Sequence, residues 1–229
     1  MINKFVSLKK ELGLIDAVLY LCSKCLDSIP IIRMKLIKYY LVAQPISARA
    51  LLSSNRAKNI DVRELGYDED VLYTFPRPRA VIDFRKSLGA RCFGAFKNGE
   101  FIGGLWFIKE KYEEDEVKCH YFPKPIDKVV WDFDVYITPL DRMGFSFLKL
   151  WDYFNERMNA EAVDVTMSRI SAFNLASRTS HRRLGANDIG WQVFVVIGTF
   201  QLLFSSLTPY FHFSWSGKAV PKVVIHYNS

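Results

Sequence analysis

Apolar residues recur along the chain with two periods, and the switches between them mark the elements. Leu14, Ile15, Val18, Leu19, Cys22, Cys25 and Leu26 fall at helical spacing, which predicts an amphipathic helix over residues 9–28, flanked by lysines and ended by Pro30. Residues 34–42 alternate as a strand that Gln44-Pro45 stops. A polar passage through Asn59 reads as a loop, residues 60–65 as a strand, and residues 79–88 as a helix closed by Gly89. Residues 91–96 and 100–108 are apolar-rich arms about Asn98-Gly99, the dipeptide a type I′ turn favours because both central residues need positive φ. They predict an antiparallel hairpin.

Further along, YEEDE at residues 112–116 reads as a solvated turn or strand start before a strand over 118–122. Residues 129–137, VVWDFDVYI, predict a strand with apolar odd positions, so that Asp132, Asp134 and Tyr136 share the opposite face. After Pro139 the run Arg142, Met143, Gly144, Phe145, Ser146 leads into a helix whose Phe147, Leu148, Trp151, Phe154 and Met158 form one apolar face. A strand over 163–170 is followed by a helix opening at Asn174. On it Asn174, Ser177 and His181 stand at i, i+3 and i+7, one face, with Gly185 placed to close it. Residues 191–207 read as a buried strand rather than a membrane span, because Gly198 and Gln201 interrupt them, and a last strand lies near 223–226.

A chain of 229 residues, half of them hydrophobic and 15% aromatic, with no repeat, has enough apolar side chains for a core and is not a disordered segment. One elaborated domain overall is expected, with residues 1–45 as a basic helix-and-strand extension and 46–229 as the main body. The net charge of +7 is localised: residues 1–60 hold ten of the 31 Lys and Arg and three of the 24 acids, leaving 21 of each beyond. A basic amphipathic segment over residues 9–28 suits either packing on the domain or contact with an anionic membrane surface or acidic partner protein. No nucleic-acid motif accompanies it, so nucleic acid is not an expected partner. Cys22 and Cys25 form a lone C-x-x-C inside a helical pattern without a second pair at zinc spacing, which reads as small buried residues and no metal site. No signal-peptide pattern opens the chain, and the expected location is cytoplasmic, with peripheral attachment at the inner face of the membrane as an option.

Two features carry candidate chemistry. Asp132 and Asp134 put two acids on one strand, and His181 stands with Asn174 and Ser177 on one helix face. Simpler roles stay open at this point: Asn174 as a helix cap, His181 bonded to backbone, and the aspartates paired with Arg169 or Arg142.

The order helix, strand pair, strand, R-x-G-x-S, helix, strand, N-x-x-S-x-x-x-H-x-x-x-G, strand, over roughly residues 60 to 205, resembles the GNAT N-acetyltransferase superfamily. The resemblance implies an α+β fold: a central mixed, mostly antiparallel, strongly twisted sheet flanked by helices, with a V-shaped splay between two parallel central strands. It implies that Tyr136 and Ile137 on the strand, and Arg142, Met143, Gly144, Phe145 and Ser146 in the loop, contact the acyl donor, backbone amides holding its pyrophosphate. Asn174 and Ser177 would lie near the pantetheine arm. Asp134, with Asp132 as substitute, would take the proton of an incoming amine, and His181, at the family's tyrosine position, would protonate the departing thiolate. The loop is one residue shorter than the family's and ends in serine, which would also suit acyl-phosphopantetheine on an acyl carrier protein. The implied activity is transfer of an acyl group from acetyl-CoA, a longer acyl-CoA or such a carrier to a primary amine. A catalytically silent acyl-thioester-binding or interaction module is the other class.

Overall fold

The computed structural model describes residues 2–28, 34–215 and 219–227. Two helices, α1 (Ile2–Leu12) and α2 (Leu14–Asp27), precede strand β1 (Met34–Pro45) and strand β2 (Ile60–Glu64). A 3₁₀ turn at Asp70–Thr74 leads to α3 (Arg79–Ser87), then to β3 (Arg91–Lys97), β4 (Glu100–Ile108), β5 (Tyr112–Glu113), β6 (His120–Lys124) and β7 (Val129–Ile137). The chain continues through α4 (Ser146–Ala160), β8 (Val165–Ser171), α5 (Leu175–Arg183), β9 (Asn187–Ile197), β10 (Phe200–Ser205), β11 (Phe211–Ser214) and β12 (Lys222–His226). Among the described residues no helix is long and apolar enough to cross a membrane.

These elements form two compact units that interleave along the chain. One comprises residues 1–44, 111–122 and 167–226, the other 45–110, 123–166 and 227–229. In the second unit the strands run in the order β7, β4, β3, β2, each neighbouring pair antiparallel. Asn98 (φ 52°) and Gly99 (φ 84°) turn β3 into β4 as the Asn-Gly dipeptide predicts. Helix α4 lies against β2, β3 and β4; of the stripe expected of it Trp151, Phe154 and Met158 are buried, Phe154 against Phe93 and Phe107, whereas Phe147 and Leu148 are only half-buried and Leu150 is buried in addition.

In the first unit the order is β11, β10, β9, β1, β8, with the pairs β11–β10, β10–β9 and β9–β1 antiparallel, and a small sheet of β12, β6 and β5 stands beside these strands in the same unit. Each unit thus shows the mostly antiparallel α+β character expected. Strand β1, from the N-terminal segment, lies between β9 and β8.

Several local expectations change here. The single helix over residues 9–28 is two helices, because Gly13 (φ 85°) breaks the backbone between them; Pro30 lies outside the described residues. The apolar stripe of α2 faces outward, with Leu14, Ile15 and Val18 exposed, while Asp16 and Ala17 face inward. The inversion follows from Asp16, whose carboxylate accepts from Lys38 (2.5 Å) and Tyr40 (2.7 Å) on β1. Cys22 and Cys25 are exposed rather than buried. Residues 191–207 form a hairpin about Gly198 (φ 57°) instead of one buried strand. The acidic run at 112–116 is not a solvated turn throughout: Tyr112 is buried, and Glu114 is buried against Arg169, which donates to both of its carboxylate oxygens.

Candidate active site

Strand β7 does not alternate through its length. Phe133 pairs with Trp106 and Tyr136 with Gly104, so one extra residue of β7 is accommodated opposite Leu105. Partners across a ladder share a face, and Gly104 and Trp106 are two apart, so Phe133 and Tyr136 point the same way and Asp132 the other. The expectation that Asp132, Asp134 and Tyr136 share one face fails for this reason. At the bulge Asp134 adopts φ 52°, a conformation aspartate tolerates better than most residues. The approach there is close: a Cβ at Gly103 would run into the Tyr136 carbonyl oxygen.

Arg142 donates to the Ile137 carbonyl and Arg169 to Glu114. Asp134 is instead clasped by two guanidinium groups from around α3, Arg85 at 2.6 Å and Arg77 at its other oxygen. Arg85 is itself buried, over the rings of Trp106 (5.6 Å) and Phe133 (5.2 Å). Asp132 is buried and accepts from the Thr166 hydroxyl at 2.7 Å. Both carboxylates are thus hydrogen-bonded, and an incoming amine would have to compete for their oxygens.

The loop after β7 begins with a 3₁₀ turn at Pro139–Asp141 and passes through Arg142 to Gly144, whose N–H donates to Asp141. Arg142 Nε donates to the carbonyl of Ile137, which ties the loop to the strand end. Phe145 is the N-cap of α4 and offers no side-chain acceptor to the helix amides. Uncapped amides and the helix dipole make this end attractive to an anion. In front of it lies a cleft of about 370 Å³, lined by Ala57, Asn59, Lys97, Asp141, Gly144 and Ser146 among others. Lys97 supplies its cation, held 3.0 Å from Asp141, and the bonds from Thr138 and Lys97 keep the Asp141 carboxyl below its ordinary range. A Cβ at Gly144 would meet only the Asp141 carbonyl oxygen at 3.5 Å, an ordinary contact. The protein itself therefore does not demand glycine there; a ligand lying on the backbone would.

Asn174, Ser177 and His181 lie in the other unit, on α5. Asn174 is the N-cap, its side-chain oxygen accepting from the Ser177 amide at 3.1 Å. Gly185 (φ 90°) closes the helix, with the Ala186 amide returning to the His181 carbonyl. His181 is buried, and Nδ1 stands 3.0 Å from the Gln44 side-chain oxygen. Burial lowers its pKa from 6.5 to about 4, so the imidazole is neutral at pH 7. With the Gln44 amide oriented to present its oxygen, this contact assigns the single N–H of the neutral ring to Nδ1.

Sequence reasoning did not find Arg77, Arg85 or Gln44, the partners that fix Asp134 and His181. It also missed the Glu114–Arg169 pair, around which Tyr39 donates to Glu116 at 2.5 Å. Burial raises the pKa of Glu114, with Arg169 opposing the shift.

No protein-family profile matches the chain, and no curated protein matches it in sequence. Among solved structures it is similar to a functionally unknown conserved protein from Staphylococcus epidermidis, with a TM-score of 0.52 and 14% identity, covering 77% of this chain and 66% of that one. It is also similar to a tandem GNAT protein from the clavulanic acid biosynthesis pathway, with a TM-score of 0.48 and 13% identity, covering 71% of this chain and 54% of that one. A third is an aminoglycoside N-acetyltransferase in complex with CoA, with a TM-score of 0.42 and 18% identity, covering 55% of this chain and 90% of that one. The chain spans about two thirds of the first of these proteins and about half of the second. At 14% identity the likeness to the first of these is one of fold.

Proposed function

We propose that the chain is a GNAT-type N-acyltransferase that takes an acyl group from a thioester donor and delivers it to a primary amine. The observation that carries the reading is the open cleft at the uncapped end of α4, floored by the Arg142–Ser146 loop and bearing Lys97. Amides there can bind a pyrophosphate without a dedicated anion-binding side chain. The position of that loop directly after the Asp132/Asp134 strand supports it further.

In this reading Gly144 and its neighbours hold the donor's diphosphate, and Tyr136 and Ile137 flank its pantetheine arm. The amine loses a proton to a carboxylate, its nitrogen bonds to the acyl carbon, the carbon–sulfur bond breaks and the proton taken by the carboxylate is returned to the departing sulfur. Asp134 is the proposed proton acceptor, with Asp132 behind it. The expected role of His181 as proton donor to sulfur needs the proton on Nε2. With the proton held on Nδ1 toward Gln44, we assign His181 to positioning α5, and with it Asn174 and Ser177.

Incubation with acetyl-CoA, longer acyl-CoAs and an acyl carrier protein, each with a panel of amines, tests the proposal through free-thiol release. Release that Asp134→Asn reduces at least about 100-fold supports it, and no release with any donor overturns it. Gly144→Val should weaken donor binding without lowering the melting temperature. The clasp of Arg77 and Arg85 on Asp134 favours one second reading, a silent acyl-thioester-binding module; donor binding without turnover would select it. The basic residues Lys9, Lys10 and Lys24 beside exposed Leu14, Ile15 and Val18 support attachment to an anionic bilayer or acidic carrier protein. Equal vesicle sedimentation with and without residues 1–30 would remove the bilayer.

A further inference from the structure

The hairpin of β9 and β10, with β11 beside it, is built inside out. Its inward face carries Gln192, Gln201, Ser205 and Ser214, all buried, beside Phe194 and Leu203. Gln192 accepts from the Tyr121 hydroxyl at 2.5 Å, and Gln201 both donates to and accepts from the Lys118 backbone. The outward face carries the large apolar side chains. Ile197 pairs with Phe200, Val193 with Phe204 and Phe204 with Phe211, so these residues stand on one side. Phe200 and Phe213 stack with centroids 6.2 Å apart, Phe204 and Phe211 lie 5.3 Å apart, and Trp215 closes on Phe200 at 4.8 Å.

These side chains are open: Phe200 is 37% exposed, Phe211 56% and Trp215 61%. At about 200 Å² for a fully open aromatic side chain, Trp191, Phe200, Phe204, Phe211, Phe213 and Trp215 leave roughly 600 Å² uncovered. That is the upper end of what a monomer ordinarily shows. With the half-buried Val193, Val195 and Leu202 added, it approaches the ~800 Å² that each partner contributes to a standard interface. Residues 191–215 contain no Lys, Arg, Asp or Glu. A surface docking on an anionic bilayer would carry cations on this face, and one docking on a charged protein would carry the opposite charge. A wholly apolar sheet face is complementary to itself.

We propose that this face pairs with the same face of a second copy of the chain, giving a two-fold dimer in which two sheets stack about 10 Å apart. Sedimentation equilibrium of the full chain at micromolar concentration should return twice the 26.5 kDa chain mass, unchanged between low and high salt. Phe213→Arg and Phe204→Arg, with unaltered circular dichroism, should each weaken self-association by roughly 30-fold or more. Should either variant fail to fold, Trp215→Lys takes its place. A wild-type monomer overturns the proposal, as does a dimer that survives these substitutions. A monomer that binds neutral phosphatidylcholine vesicles and loses that binding in Phe213→Arg overturns it in favour of a lipid surface.

Discussion

The two units treat the same kinds of residue in opposite ways. Around β7, β4, β3 and α4 the aromatics go inward: Phe93, Trp106, Phe107, Trp131, Trp151 and Phe154 are fully buried. In the β9–β11 strands of the other unit Trp191, Phe200, Phe204, Phe211 and Phe213 stay exposed, while Gln192, Gln201, Ser205 and Ser214 share the interior with Phe194 and Leu203. Elsewhere in that unit buried Glu114 is paired with half-buried Arg169, and buried His181 with buried Gln44. An apolar interior needs only volume and shape, whereas a polar one needs every donor matched to an acceptor. The first kind tolerates repacking; the second is sensitive to the loss of any single partner.

The largest effect expected tests that contrast with one substitution at two sites. Phe154→Ala, which removes a ring packed on Phe93, Phe107 and Trp151, should cost about 3–5 kcal/mol in urea unfolding. Phe211→Ala, measured where self-association is negligible, should stay within about 0.5 kcal/mol. Equal losses at the two positions would erase the distinction between the units.

Next in size is the buried ion pair. Arg169→Leu leaves Glu114 as an uncompensated carboxylate with no side-chain exposure, and should cost about 3 kcal/mol or more by thermal melting. Adding Glu114→Leu should recover much of that loss, since the pair then goes together. If the double variant is as unstable as the single one, packing around Arg169 and not charge is what matters.

A smaller effect follows from His181 and has a definite sign. Its proton is bound more weakly in the folded chain, with a pKa of about 4, than in the unfolded one, near 6.5. As pH falls the unfolded chain protonates first, so stability is complete above about pH 7 and declines between about 6.5 and 4. The shift corresponds to at most about 3 kcal/mol. His181→Gln should flatten this part of the profile, measured as unfolding midpoint against pH. A profile equally steep in the variant would assign the loss to other groups.

What could be read from the sequence divides along the same line. The β3–β4 hairpin, the Trp151-to-Met158 part of the α4 stripe and the Asn174-to-Gly185 helix are patterns contained within a dozen or so residues, and each forms as its spacing predicts. The partners of the candidate site residues are long-range: Arg77 and Arg85 precede Asp134 by 57 and 49 positions, and Gln44 precedes His181 by 137. No local period encodes such meetings. The bulge in β7 is a single extra residue, invisible to an alternation that reads correctly on either side of it. In α2, Asp16 outweighed the apolar stripe because Lys38 and Tyr40 await its carboxylate on β1. In β9 and β10 the alternation itself was present, and only which face would be the interior was not.

The smallest effect bears on what Asn174 is for. Its side-chain oxygen caps α5 by accepting from Ser177, so Asn174→Ala should lower stability by about 1 kcal/mol whatever else the residue does. Asn174→Asp keeps a capping oxygen and places a negative charge at the positive end of the helix, which is neutral or slightly favourable. The aspartate lacks the carboxamide N–H₂, and that is the group available to donate to a donor's pantetheine arm once the oxygen is engaged. Stability should therefore fall only in the alanine variant, whereas affinity for an acyl-CoA, measured by calorimetry, should fall in both. Retained affinity in Asn174→Asp would leave Asn174 a helix cap and nothing more.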